Sequence, residues 1–243
     1  MLSWGLTDPG CVRKQNQDAY RIEELDYNTT LCVVCDGMGG AKSGNVASSL
    51  AVDVFAGEVC SCWKPSMSTE QVEQMLRSAV KLANFTVYDQ AVQFEEFSGM
   101  GTTLTAALVQ DGRATIVNVG DSRVYGINRS GIQQLTKDHS LVQLMVDRGE
   151  LTPEVAKSYP GKNLITRAVG TEPSVMCDIF RWDVSRGDYL LLCSDGLSNV
   201  MDDQEILFEV AHGVNKQHCC QRLLSIAKNR GAPDNVTSVL VMI

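Results

Sequence analysis

The chain has 243 residues, of which 44% are hydrophobic and 21% charged, which is typical of an ordinary soluble globular protein and excludes collagen-like or largely disordered classes. The net charge of −8 argues against general binding to nucleic acid or anionic membranes, because those contacts need clustered Lys and Arg. Apolar runs stay shorter than the roughly 18 residues of a membrane span, and the opening residues lack a signal-peptide core. We therefore expect a cytoplasmic protein with no membrane span.

The predicted elements alternate between short apolar strands and amphipathic helices. Apolar residues recur at helical spacing from Val46 to Val59 and from Val72 to Val87, which predicts two long helices that each bury one face. A third helix is predicted over 215–229, ending at Gly231. In chain order, strands are predicted over 2–7, 19–25 and 30–35 before the long helices, then over 102–109, 113–119, 123–128, 132–136, 175–182, 188–194 and 235–242.

The turns and the strand composition predict how these strands pack. Turn residues at 110–113 and 128–131 separate neighbouring strands and favour antiparallel hairpins. Strands such as 188–194 and 235–242 are apolar on both faces, so they must be covered on two sides. We expect two stacked sheets with helices outside. Because no linker, repeat or low-complexity stretch interrupts the chain, we expect a single domain over 1–243.

The nine cysteines are predicted to be reduced thiols. Their number is odd, the chain is long and no export signal is present. Cys32 and Cys35 form a C-x-x-C pattern, but a strand directs residues three apart to opposite faces. No second Cys or His pair lies at metal-ligand spacing, so a zinc or redox site is disfavoured.

Three aspartates stand where an apolar strand runs out into Gly or a small residue, namely Asp36, Asp121 and Asp195, and a fourth, Asp234, stands just before the last strand. A single Asp-Gly is more often a plain turn than a site. Strands of one sheet system end at common edges, however, so these carboxylates can converge, and converging carboxylates repel one another unless a cation lies among them. Oxygen ligands without Cys or His select hard ions such as Mg²⁺ or Mn²⁺.

A polar segment near the N-terminus contains Arg13, Asn16 and Asp18. Arginine beside a carboxylate-bound metal cluster suits a tetrahedral oxyanion, because its planar fork holds phosphate through two parallel hydrogen bonds. The alternative is an ordinary surface arginine.

Seven motifs together resemble the metal-dependent protein phosphatases of type 2C, particularly the compact bacterial serine/threonine phosphatases. The similarity extends over about residues 3 to 243. The motifs occur in the family's order: Arg13-x-x-Asn16-Gln17-Asp18, Asp36-Gly37-Met38-Gly39-Gly40, Met100-Gly101-Thr102-Thr103, Gly120-Asp121-Ser122-Arg123, Asp138-His139-Ser140, Ser194-Asp195-Gly196-Leu197 and Asp234-Asn235-Val236-Thr237.

The resemblance implies an α+β fold, a four-layer αββα sandwich with a Mn²⁺ or Mg²⁺ pair at one end of the stacked sheets. Asp36 would bridge both ions, the Gly37 carbonyl would bind one, and Asp195 with Asp234 would bind the other. Asp18 would hold water on the ions. A third, weaker ion would lie near Asp121, shared with Asp195. The implied partners are phosphorylated proteins, including a cognate serine/threonine kinase, and we expect a monomer.

The implied reaction is hydrolysis of phosphoserine or phosphothreonine by direct attack of a hydroxide that bridges the metals. Arg13 and the ions would stabilise charge on the phosphoryl oxygens, so no cysteine is needed as a nucleophile. The chain departs from eukaryotic relatives, which often have histidine where Met38 stands. His139 is a weak substitute as the acid, because its motif is a structural turn in the family. The segment 146–166 resembles the family's mobile flap, with Tyr159 where many relatives have histidine.

Two other functions remain open from the sequence. The first is a pseudophosphatase that binds phosphoproteins without turnover, although such relatives usually lose one of the residues that are all present here. The second is another metal-dependent phosphoesterase, such as a nuclease. The acidic charge and the lack of an aromatic and basic stripe disfavour a nuclease.

Overall fold

The structure is a computed structural model that describes residues 1–156, 158–213 and 215–243, with the side chains of residues 40–42 left outside that description. The strands are β1 (Leu2–Asp8), β2 (Asp18–Asp26), β3 (Thr29–Met38), β4 (Gly101–Thr102), β5 (Leu104–Gln110), β6 (Arg113–Val119), β7 (Arg123–Asn128), β8 (Gly131–Gln134), β9 (Asp178–Asp183), β10 (Tyr189–Cys193) and β11 (Val236–Met242). The helices are α1 (Gly40–Cys62), α2 (Thr69–Gln93), α3 (Leu141–Asp147), α4 (Pro153–Ala156), α5 (Asp195–Ser198), α6 (Asp203–His212) and α7 (Cys219–Asn229).

The strands form two antiparallel sheets. One has the order β1-β11-β10-β7-β8, and the other has the order β2-β3-β5-β6-β9 with β4 paired to β3. The predicted hairpins are present, because Gln110 pairs with Arg113 and Asn128 pairs with Gly131.

Three apolar layers separate the sheets and helices. In β3, Leu31 and Val33 pack with α1 and α2, whereas Cys32 and Val34 lie in the layer shared with Leu190 and Val241 of the other sheet. This alternation follows from the two-residue period of a strand. The outer face of that second sheet packs against α6 and α7. The order helices, sheet, sheet, helices confirms the predicted αββα sandwich.

The cysteine predictions agree with this packing. Cys32 lies between the sheets and Cys35 lies in the helix-facing layer, so their side chains point to opposite faces. All nine cysteines are free thiols.

The structure differs from the predicted elements in several places. The short helices α3, α4 and α5 were not predicted. The strand predicted over 102–109 is interrupted at Thr103, whose backbone and side chain both bond the backbone of Asp36. The helix predicted over 215–229 begins as the 3₁₀ turn Lys216–His218 and becomes α-helical at Cys219. The helix α6 was not predicted, although Asp202 and Glu205 form a capping box at its start.

Within the described parts of the chain, no helix combines the length and the apolarity needed to cross a membrane.

Candidate active site

A cavity of about 600 Å³ opens where the strands of both sheets end. It collects six of the predicted site residues from distant parts of the chain. Those residues are Arg13, Asp36, Gly37, Asp121, Asp195 and Asp234. The seventh, Asp18, does not line the cavity but lies buried beside it, directly opposite Asp36 in the β2–β3 pairing.

Backbone hydrogen bonds fix Asp36 at the end of β3. Its backbone N–H donates to Thr103 Oγ1 at 2.9 Å, and its carbonyl accepts from the Thr103 N–H and from Thr102 Oγ1, each at 2.9 Å. Because both backbone groups are engaged, the main chain at Asp36 cannot rotate without losing bonds in a buried region. The Asp36 carboxylate is therefore held towards the cavity.

Gly37 allows a close approach between β3 and the start of α1. A β-carbon at this position would lie 2.0 Å from the Gly44 carbonyl oxygen and 2.6 Å from that of Gln17. Side chains cannot fit at such distances, so only glycine permits this packing. The constraint places the Gly37 backbone at the wall of the cavity.

A chain of hydroxyl groups orients the buried Asp18 carboxylate. Asn16 Nδ2 donates to Thr7 Oγ1 at 2.8 Å, and Thr7 Oγ1 lies 2.7 Å from Thr237 Oγ1. Thr237 Oγ1 donates to Asp18 Oδ2 at 2.6 Å, and Ser194 Oγ donates to the same oxygen at 2.7 Å. Since each hydroxyl has one proton, the Thr7 hydroxyl must donate to Thr237. The network leaves Asp18 Oδ1 buried without a hydrogen-bond partner.

Asp195 and Asp234 approach the cavity from the second sheet. Asp195 opens α5, and its Oδ2 accepts from Asn199 Nδ2 at 2.9 Å while its Oδ1 is buried without a partner. Asp234 precedes β11, where its Oδ1 accepts from the Asn235 N–H at 2.9 Å and its Oδ2 accepts from Arg13 Nη2 at 2.8 Å. Asp234 therefore ties the Arg13 guanidinium to the rim of the cavity.

The carboxylates disfavour one another's charged forms. Burial, followed by the neighbouring charge of Asp18, raises the pKa of Asp36 well above its ordinary value. Burial also raises the pKa of Asp18 to about 7 and that of Asp121 to about 8, with Asp195 contributing to both shifts. Burial and the charge of Asp234 raise the pKa of Asp195. Such mutual destabilisation marks a site built for a compensating positive charge.

The side chains around the cavity fit divalent cations. The donors are all oxygen atoms, and a buried Asp195 oxygen has no partner within the protein. Among the described residues, no three His, Cys, Asp or Glu side chains stand close enough to enclose one ion by themselves. The carboxylate oxygens at the cavity suit Mg²⁺ or Mn²⁺, because these hard ions prefer oxygen ligands.

His139 does not line this cavity. It is buried, and its Nδ1 accepts a hydrogen bond of 3.0 Å from the Gly120 N–H, so the neutral ring carries its proton on Nε2, 3.1 Å from Asp178 Oδ2. Burial lowers the pKa of His139. These contacts favour a structural role for His139 over a role as the acid that protonates the leaving group.

Several residues that hold the site were present in the motifs but had no predicted role. Thr103 holds the backbone of Asp36, and the hydroxyl groups of Ser194 and Thr237 hold the carboxylate of Asp18. The buried Asn235 side chain accepts a hydrogen bond of 2.8 Å from the Gln17 N–H. Its amide group also donates to the carbonyls of Pro9 and Gln15. The segment 146–166 contributes Asn163 and Ile165 to the cavity, while its Lys157 lies outside the described residues. The sequence feature that could have indicated these supporting residues is the presence of hydroxyl and amide side chains next to the aspartates.

Comparison with known proteins agrees with this geometry. Residues 12–224 match the family model described as protein phosphatase 2C. A serine/threonine phosphatase stp of Listeria monocytogenes is 35% identical over 238 residues, covering 97% of this chain and 93% of its own, and the protein phosphatase PhpP of Streptococcus pneumoniae is 35% identical with 97% and 95% covered. The crystal structure of the serine/threonine phosphatase Stp1 from Staphylococcus aureus superposes with a TM-score of 0.93 at 38% identity, covering 99% of this chain and 94% of its own. The chain belongs to the protein phosphatase 2C family and is a protein phosphatase.

Proposed function

We propose that this phosphatase hydrolyses phosphoserine and phosphothreonine in proteins by direct attack of water activated by Mn²⁺ or Mg²⁺. The main support for this reaction is a shared cavity, which is lined by Arg13, Asp36, Asp121, Asp195 and Asp234. Similar proteins from Listeria, Streptococcus and Staphylococcus are named as protein or serine/threonine phosphatases, which supports the substrate class. Its substrates would include a serine/threonine kinase whose action it reverses.

Two catalytic cations would be held by carboxylates and one backbone carbonyl. Asp36 and the Gly37 carbonyl would serve one side of the pair, and Asp195 with Asp234 the other. Asp121 would hold a third, more peripheral ion. When bound, the ions lower the pKa of water and offset the negative charge of the phosphoryl group.

The remaining work falls to side chains of this protein. Arg13, with 54% of its side chain exposed, can swing from Asp234 to donate two parallel hydrogen bonds to phosphate oxygens. Asp18, anchored by two hydroxyl groups, would accept a hydrogen bond through Oδ1 from a water held between it and the cavity. The thioether of Met38 lines the cavity and has no proton to donate, so protonation of the departing hydroxyl must come from elsewhere.

Cysteine chemistry has no place in this scheme. No cysteine lines the cavity within the described residues. Burial raises the pKa of Cys35, the cysteine next to Asp36, well above its ordinary value and leaves a protonated thiol. Alkylation of the exposed thiols is therefore expected to leave turnover largely intact.

The decisive experiment is turnover of a phosphothreonine peptide with Mn²⁺, with Mg²⁺ and with excess EDTA. We expect turnover with either ion and none in EDTA, while Ca²⁺ binds but supports little activity because of its looser coordination. Full turnover in EDTA would exclude the metal-assisted reaction. Phosphopeptide binding without turnover under every metal condition would instead favour the pseudophosphatase, and salt-sensitive binding of nucleic acid would favour the nuclease.

A further inference from the structure

A second cavity, of about 550 Å³, adjoins the candidate active site. The two cavities share Asp121, Asn163 and Asp195 in their walls, so a polypeptide that places a side chain in the first can continue into the second. One wall is apolar and comes from α3 and α4. Its residues are Val142, Val146, Pro153 and Ala156.

The opposite wall is acidic and is formed by the start of α6. Two of the acidic side chains that line the cavity are already neutralised. Asp138 is paired with Arg123 at 2.7 Å, and Glu205 is paired with Arg230 at 2.5 Å. The Arg123 guanidinium is thus engaged by Asp138 and forms no ion pair with a described acid at the start of α6.

Two aspartates at this wall, Asp202 and Asp203, form no ion pair with a described residue. Asp202 uses Oδ1 to cap α6 by accepting from the Glu205 N–H, which does not neutralise it. The Asp203 side chain is exposed and makes no hydrogen bond or ion pair with any described residue. The remaining lining cation, Lys162, immediately precedes Asn163, which lines both cavities, so Lys162 lies at the junction between them.

The charge at this end of the cavity is negative even though a helix begins there. A helix N-terminus carries only about half a positive charge, whereas Asp202 and Asp203 bring two full negative charges. An apolar wall facing free carboxylates is complementary to a long cationic side chain, whose methylene stem packs on apolar surface while its charged head contacts an acid.

We propose that this second cavity is a subsite for a lysine or arginine side chain that flanks the phosphorylated residue of the substrate. The stem would lie along Val142, Val146 and Pro153, and the cation would reach Asp203 with support from Asp202. The inference rests on the proposed function and narrows it to phosphoproteins with a basic residue near the phosphorylation site.

A scanning peptide series tests the subsite. Each phosphothreonine peptide carries one lysine, at one of the five positions on either side, or norleucine at the same position, which keeps the stem and removes the charge. We expect kcat/KM with lysine to exceed that with norleucine by about three- to tenfold for at least one position, as for a partly screened ion pair. The ratio should fall with added salt.

Variants of Asp203 assign the preference to this wall. Asp203→Asn should bring the lysine-to-norleucine ratio to about one, and Asp203→Lys should bring it below one. Glu24→Gln is the matched control, because Glu24 is an exposed acid six residues along β2 from Asp18, about 20 Å away. It should keep the wild-type ratio. Thermal unfolding of each variant checks that the fold is retained.

The outcomes separate this inference from the proposed function. Turnover of the peptides with no lysine preference at any position, or a preference unchanged in both Asp203 variants, would overturn the subsite and leave the phosphatase intact. If no phosphopeptide is hydrolysed with Mn²⁺, the proposed function fails and the subsite fails with it.

Discussion

At the cavity rim, the Arg13 guanidinium can pair either with Asp234 or with a substrate phosphate. In the structure it is paired with Asp234 at 2.8 Å, yet 54% of its side chain is exposed, so the pair is well solvated and contributes little to folding. The same guanidinium can donate to a phosphate without displacing any packed residue. Arg13 is therefore suited to bind substrate rather than to stabilise the protein.

We predict that Arg13→Ala weakens competitive inhibition by inorganic phosphate and raises KM, each by about tenfold, because a partly exposed charged hydrogen bond is lost. Steady-state kinetics with phosphate as inhibitor measures both changes. Arg186→Ala, which removes an exposed arginine at the far end of β10, is the control. Equal kinetics for both variants would make Arg13 an ordinary surface residue.

The aspartates should differ in their consequences for turnover. Asp36→Asn, Asp195→Asn and Asp234→Asn should each lower kcat by several orders of magnitude, because each removes a ligand of the proposed catalytic pair. Asp121→Asn should lose less with a small aryl phosphate, whose good leaving group needs little protonation.

With a phosphothreonine peptide, the loss in Asp121→Asn should be larger if this side of the cavity supports protonation of the leaving alkoxide. Comparing kcat for the two substrates tests the difference. Equal losses would exclude that role, and no loss with either would leave Asp121 as a turn residue.

His139 gives a pH dependence that can be isolated by substitution. Its pKa is lowered in the folded protein, chiefly by burial, so between that lowered pKa and the ordinary value of about 6.5 the unfolded chain binds a proton that the folded protein does not. This group's contribution to stability is complete above about pH 6.5 and is lost as pH falls through the folded pKa, by up to about 1.4 kcal/mol per pH unit.

We predict that His139→Asn, whose side-chain oxygen can still accept from Gly120, loses stability less steeply than the wild type between about pH 7 and pH 5. Urea unfolding at several pH values gives the difference in slope. Because the wild type and the variant share every other titrating group, the difference isolates His139. Identical slopes would contradict the lowered pKa.

At the scale of the elements, an irregularity in β2 decides which residues meet at the site. Asp26 pairs with Thr29, but Glu24 pairs with Thr30, so Leu25 is an extra residue in β2. Without it, Asp18 would lie opposite Gly37 and its side chain would point to the other face. The bulge therefore places Asp18 opposite Asp36. The residue pattern of β2 did not predict this bulge.

The helix α6, in contrast, could have been predicted from the capping-box residues in the sequence. Asp202 and Glu205 satisfy each other's backbone N–H groups at its start. We predict that Asp202→Ala destabilises the protein by about 1 kcal/mol and lowers Tm by about 2–4 °C, whereas Asp202→Asn keeps the capping oxygen and changes Tm little. Calorimetry of both variants checks this. A similar loss in both would mean that the charge of Asp202, and not its cap, stabilises the helix.

At the scale of the whole molecule, the two sheets bring together carboxylates that lie almost 200 residues apart in the chain. We propose that residues 1–243 form a single domain, because both sheets contribute a face to the apolar layer between them. The concentration of like charge at one end of this stack opposes folding, and a bound cation would relieve it.

Divalent cations should therefore raise thermal stability. At about 100 times its dissociation constant, a single ion would add about 2.7 kcal/mol and raise Tm by roughly 5–10 °C. Asp36→Asn should be more stable than the wild type without added metal and gain less from Mn²⁺. Differential scanning calorimetry with and without Mn²⁺ tests both effects, and an equal gain in both proteins would place the stabilising ion elsewhere.

The sequence alone predicted the layers and seven site residues, six of which line one cavity in the structure. The two-residue period of β3 and the apolar runs of β10 and β11 predicted two stacked sheets, and the aspartates at the ends of β3, β6 and β10 were predicted to converge. Four further features became visible only in the folded protein, because they depend on contacts between distant segments. The interruption at Thr103, the bulge at Leu25, the hydroxyl chain onto Asp18 and the acidic wall at Asp203 arise from packing and register across strands, which local propensity does not encode.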